Sequence, residues 1–141
     1  MFTGDGSLYN KSFLSFFAPN TFQTMQPYEF ISDSYMNLFL SHDFSSLLFK
    51  TKRIQPEIVW QNNIGWGNLS NFNKKGLELY KTKDKVFVET GLKINNFLKL
   101  KTYNLGYIGI GAGVFYRYGA YSNANNSDNI VSKITLNYTI K

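Results

Sequence analysis

At 141 residues the chain is long enough for one domain, and the absence of cysteine excludes a disulfide framework and a thiolate metal site. Its formal charge of +6 comes almost wholly from lysine, with Arg53 and Arg117 the only arginines; both charge signs lie on the polar strand faces, so no basic stripe forms and no nucleic-acid partner is expected. Aromatic residues reach 18%, mean hydropathy is -0.25, and no run approaches the ~18 apolar residues of a spanning helix, a combination that fits a barrel of alternating strands.

Residues 1–32 read as an irregular segment. Pro19, Pro27 and the polar string 20–26 argue against a long central strand, leaving room for a short one over 21–30. The first 18 residues lack a basic leader, and Asn10, Lys11 and Ser12 interrupt their apolar stretch, so they make a poor signal peptide. For a barrel this predicts an export signal and further strands upstream of Met1.

From residue 33 onward the pattern predicts strands. Residues 34–44 place Met36, Leu38, Leu40 and Phe44 against Asn37, Ser41 and Asp43, with Phe39 breaking the polar side. Between Arg53 and Trp66 the alternation is nearly faultless: Arg53, Gln55, Glu57, Val59, Gln61 and Asn63 share one parity, and Ile54, Ile58, Trp60, Ile64 and Trp66 the other. A strand of that length exceeds the usual ~5–6 residues of globular sheets and matches the ~9–11 that cross a bilayer. Residues 86–94 set Val86, Val88, Leu92 and Ile94 outward, opposite Glu89 and Lys93. Residues 105–118 oppose Ile108, Ile110, Val114, Tyr116 and Tyr118 to Tyr107, Gly109, Gly111, Gly113, Phe115 and Arg117, and residues 130–140 oppose Ile130, Ile134, Leu136, Tyr138 and Ile140 to Lys133, Thr135, Asn137 and Thr139.

The links between these strands (45–52, 66–85, 95–104 and 119–129) tend to alternate shorter with longer, as turns and loops do in outer-membrane barrels. Lys74, Lys75, Lys81, Lys83 and Lys85 crowd the second of them and read as a solvated loop.

Glycines 109, 111 and 113 alternate on one strand face with no helix after them, so they are architectural and not a phosphate loop. His42 cannot meet Ser41 or Asp43 side by side on a strand, and its parity is that of the apolar flank. A nucleophile–base pair with Ser45 or Ser46 defines a hydrolase reading, in which His42→Ala would abolish ester cleavage. Arg53, Glu57, Glu89, Lys93, Arg117 and Lys133 lie on the wet parity and are the lumen-facing candidates, read as a salt-bridge lattice stiffening a wall. No catalytic residue, cofactor site or metal cluster is expected, because one histidine and no cysteine leave only scattered carboxylates.

Four phrases carry a resemblance: Thr21-Phe22-Gln23-Thr24-Met25 with Tyr28-Glu29-Phe30-Ile31-Ser32-Asp33, Leu47-Leu48-Phe49-Lys50-Thr51-Lys52, Asn63-Ile64-Gly65-Trp66-Gly67, and Gly113-Val114-Phe115-Tyr116-Arg117-Tyr118-Gly119. From residue 20 to the end the chain resembles large Bacteroidetes outer-membrane proteins of unknown function. Those proteins carry an amino-terminal carboxypeptidase-regulatory-like β-sandwich and end in a barrel distantly similar to the Omp85 assembly and translocation class. The resemblance implies neither peptidase activity nor any catalytic residue. One departure is the ending Tyr138-Thr139-Ile140-Lys141, where such barrels often finish on an aromatic residue.

The expectation is therefore an all-β, antiparallel, up-and-down transmembrane barrel in a bacterial outer membrane, a carboxyl-terminal fragment of five or six strands. It is non-enzymatic, with a transport, assembly or envelope role. Single-chain barrels start at eight strands, so the partners are membrane lipid and either the remaining barrel strands or other copies of the chain. The alternative is a soluble barrel or clam that holds a lipophilic ligand, with the apolar parity turned inward. On the membrane reading Ile110→Lys costs roughly 2–4 kcal/mol and Thr135→Lys little.

Overall fold

The structure, a computed structural model, describes residues 16–45, 56–70, 81–102 and 106–140. Five strands, β1 (Ser34–Asp43), β2 (Glu57–Asn68), β3 (Phe87–Thr102), β4 (Gly106–Gly119) and β5 (Ile130–Ile140), form one antiparallel sheet in chain order. The fold is all-β and up-and-down, as the alternation predicts. Arg53 lies outside the described residues.

Register keeps like parities together. Asn63, Glu89 and Arg117 sit side by side across β2, β3 and β4, while Trp60, Leu92 and Val114 form a row of the other parity. The sheet thus sorts into a charged face and an apolar flank. Residues 16–33, here called the strap, lie over the charged face and bury Phe22, Gln23, Thr24, Met25, Phe30, Ile31 and Ser32.

The core sits between strap and sheet. Phe22 packs edge-on to Phe87 (4.9 Å) and tilted against Phe39 (5.2 Å), and Phe30 meets Tyr121 (4.6 Å) and Phe87 (5.9 Å). Phe39, which breaks the polar side of its strand, is therefore a contact for the strap.

Three expectations need correction. The short strand over 21–30 does not form: the described backbone there is turns, bends and isolated bridges, with Asn20 (φ 55) and Tyr28 (φ 60) in left-handed conformations. Its amide hydrogens go elsewhere, as described below. The ten-residue link 95–104 is mostly strand, because β3 continues to Thr102 through a bulge. Ile94 pairs with Ala112 and Leu98 with Ile110, so residues 95–97 oppose Gly111 alone and the parity is restored beyond them. A Cβ on Gly111 would meet the Ile94 carbonyl and the Thr135 hydroxyl, which is the close backbone approach that requires glycine. Finally, Lys83 is buried rather than solvated: its ammonium lies 5.0 Å from the Phe22 ring centre and donates to Asn37 Oδ1 at 3.2 Å.

Gly91 supports the same packing from β3. An added Cβ there would run into the buried Phe115 ring, so Gly91→Ala is expected to cost about 1–3 kcal/mol by overpacking, read as a lower denaturation midpoint.

Candidate functional site

The candidate site is the charged face and the strap upon it. β3 presents Glu89 and Lys93, β4 presents Arg117, and β5 presents Lys133 and Thr135, all buried. They lie together because odd-numbered residues of these three strands share one side of the sheet in the observed register.

Glu89, at 0% exposure, is the anchor of the strap. Its Oε1 accepts from the Gln23 amide (2.8 Å) and Asn63 Nδ2 (2.7 Å), and its Oε2 from the Thr24 amide (2.9 Å) and Thr24 hydroxyl (2.6 Å). Two successive backbone N–H groups aimed at one carboxylate form an anion-binding turn. This is why the segment cannot be a strand: the donors a ladder would use are spent on a side chain. Gln23 holds the turn in shape by donating Nε2 to the carbonyls of Ala18 (2.6 Å) and Thr21 (2.9 Å).

Arg117 is a second anchor, gripping Glu29 through Nη2 to Oε1 (2.8 Å) and Nη1 to Oε2 (3.2 Å). Its guanidinium lies 4.8 Å from the Phe87 ring centre and 5.7 Å from that of Phe30, so charge and aromatic faces hold it together. Lys93 completes a third contact, its ammonium 3.9 Å from the Phe17 ring centre. Of the lumen-facing candidates, Glu89, Lys93, Arg117 and Lys133 come together on this face, while Glu57 sits half-buried at the start of β2. The Arg117–Glu29 ion pair joins sheet to strap, and the charge of Glu89 on β3 acts on Lys133 of β5. Thr135 is also buried, with its hydroxyl against Gly111, so the expectation that Thr135→Lys costs little no longer holds.

Glu29, Gln23 and Thr24 are the functional residues that sequence reasoning missed. A signal existed: Phe39, Phe87 and Phe115 all fall on the charged parity, and large aromatics there require something to cover them.

At the loop end a polar cavity of about 250 Å³ opens beside Arg117 and Glu29 and is also lined by Lys81 and Asp128. It is roomy enough for several waters at ~30 Å³ each. Nearby, the Tyr121 hydroxyl donates to Asp84 Oδ1 (2.7 Å) and accepts from the Lys85 amide (2.9 Å). That hydrogen bond holds the Asp84 carboxyl below its ordinary value, while burial and the bond to Asp84 push the Tyr121 phenol up to about 12. Tyr121→Phe is therefore expected to raise the Asp84 pKa, followed by carboxyl chemical shift against pH.

His42 stands exposed on the apolar flank, its ring 4.5 Å from Phe44 and edge-on to it. Asp43, on the other parity, accepts the Ser45 amide at 2.6 Å. Ser46 lies outside the described residues. Among the described residues no group of three or more His, Cys, Asp or Glu is placed to hold a metal ion. Comparison of the chain with family models, curated proteins and solved structures gives no match.

Proposed function

We propose that the chain is a wall sector of a bacterial outer-membrane β-barrel, with lipid on its apolar flank and the strap on its inner side. The role is non-enzymatic, in transport, assembly or upkeep of the envelope. One observation carries this reading: the strap covers the charged face and leaves the apolar one bare. Met36 is 70% exposed and Leu136 58%, and Trp60, Trp66, Leu92, Leu100, Val114 and Tyr138 stand exposed with them.

In water that arrangement is backwards. Burying a Leu-sized side chain is worth about 1.5–3 kcal/mol, and burying a charge is costly without partners. A water-soluble chain with one segment to spare would lay it over the leucines. In hydrocarbon the preference inverts, and the charged face is the one that must be enclosed. Strands of 10 to 16 residues fit a bilayer crossing. Among the described residues no helix is long and apolar enough to cross, so the reading rests on strands alone.

The soluble-clam alternative turns the apolar parity inward, opposite to the observed disposition. Trp60 and Trp66, the two tryptophans of the chain, both lie on the bare flank and provide a test. Refolded into phosphatidylcholine bicelles, the chain is expected to lose most of its tryptophan fluorescence when the acyl chains are brominated. A chain that stays in the aqueous phase, its tryptophans quenched by iodide and not by bromine, would refute the membrane assignment.

A further inference from the structure

Separate stretches of the chain meet around the polar cavity at the loop end of the sheet. The strap supplies Gln26 and Glu29, β4 and the loop after it supply Arg117, Asn123 and Asp128, and Lys81 arrives from ahead of β3.

Each wall is held from behind. The Gln26 amide donates to Glu29 Oε2 at 3.0 Å and the Glu29 amide to the Gln26 carbonyl at 3.1 Å, so the carboxylate is steadied within its own turn. The Ile31 amide donates to the Lys81 carbonyl at 3.0 Å, which ties Lys81 to the strap. In the loop, Asn129 is buried; its Oδ1 accepts the Asn123 amide at 2.6 Å and its Nδ2 donates to the Asn123 carbonyl at 3.0 Å. Walls fixed in this way spare a ligand the cost of ordering them.

Arg117 supplies a second observation. Glu29 accepts one N–H from each Nη of its guanidinium. Its Nε, in a side chain only 4% exposed, is buried with no hydrogen-bond partner among the described residues. Buried donors are almost always paired, so the cavity is lined by a nearly enclosed cation with hydrogen-bonding capacity to spare.

We propose that this cavity binds a small zwitterion, a free amino acid with a polar side chain. Lys81 and Arg117 on its walls are matched by Glu29 and Asp128, so a bare anion would meet two carboxylates and a bare cation two positive groups. A molecule that carries both charges has a partner for each: its carboxylate for Lys81 and Arg117, its ammonium for Glu29 and Asp128. Gln26 and Asn123 present amides, which suit a hydrogen-bonding side chain and not an aliphatic one. The volume of about 250 Å³ equals about eight waters at ~30 Å³ each, the scale of an amino acid such as glutamine. The site owes nothing to the apolar flank, whatever covers it.

Titration of the isotope-labelled chain in phosphatidylcholine bicelles, with the Arg117 Nε–H resonance as reporter, provides the test. L-glutamine is expected to shift that resonance saturably below about 10 mM, a range that reaches affinities weaker than millimolar. Acetate, methylammonium, inorganic phosphate and D-glucose are each expected to bind at least about tenfold more weakly, since each lacks a charged partner for one wall or both. Lys81→Met and Asp128→Asn, both at exposed positions, are each expected to weaken L-glutamine binding about tenfold. Lys101→Met, at the opposite end of the β3–β4 pairing from Arg117, is expected to leave it unchanged. Absence of a saturable shift with L-glutamine overturns the proposal. Acetate or phosphate binding as tightly as L-glutamine overturns it too, by making the cavity an anion site, and so does L-glutamine binding that both substitutions leave intact. Quenching of Trp60 and Trp66 by brominated lipid reports the membrane reading separately, and if it is lost the same titration is made in the aqueous phase, so either reading can fail while the other stands.

Discussion

On the proposed membrane reading, Leu92→Lys and Leu136→Lys are each expected to destabilise the chain in lipid by about 2–4 kcal/mol, the cost of a lysine on a lipid face near the bilayer midplane. Both leucines are more than half exposed, at 55% and 58%. On a water-soluble protein the same exposure predicts a change within about 0.5 kcal/mol, because a surface leucine gives up little when replaced. The two readings thus differ severalfold at the same residues. Urea titration in phosphatidylcholine bicelles, with Ala120→Lys in the exposed loop after β4 as the neutral control, measures the difference. Equal tolerance at all three positions would mean that water covers the flank.

Why the flank could be read from sequence, and the strap could not, follows from how each is specified. A strand alternates because its side chains point to opposite sides, so a period of two survives in the sequence wherever the two sides meet different surroundings. This made the apolar rows of β4 and β5 legible, and β5 has the bounds its alternation predicts, Ile130–Ile140. The bulge in β3 hid its second half: Asn95 and Asn96 look like a loop, and nothing local shows that Asn96, with φ 54, tucks over Gly109 while the strand resumes at Leu98.

The strap has no period at all. Its conformation comes from partners far along the chain: Gln23 and Thr24 bond a carboxylate on β3, and Glu29 a guanidinium on β4. Glu89, Lys93, Arg117 and Lys133 could be assigned to one face from parity, but their partners could not, because sheet parity says nothing of what crosses over it. Lys83 misled for a related reason: lysine in a polar loop is usually solvated, whereas here the Phe22 ring and Asn37 are among the groups that meet it.

The strap's dependence on Glu89 gives the second large effect. Glu89→Ala removes the acceptor that the amides of Gln23 and Thr24, the Thr24 hydroxyl and the Asn63 side-chain amide share, all three residues being buried. It also withdraws a negative charge that acts on Lys133, buried on the same face. Breaking a buried, hydrogen-bonded charge typically costs about 3–5 kcal/mol, and that is the expected loss in a denaturant titration. Glu89→Gln keeps the shape but turns one oxygen into a donor facing donors, so it is expected to lose nearly as much. The loss should be local. Protease cleavage should appear within residues 18–32, while quenching of Trp60 and Trp66 by brominated acyl chains stays as in the parent chain, since neither tryptophan touches the strap's side of the sheet. Cleavage unchanged in both variants would show that the aromatic contacts of Phe22 and Phe30 hold the strap without the carboxylate.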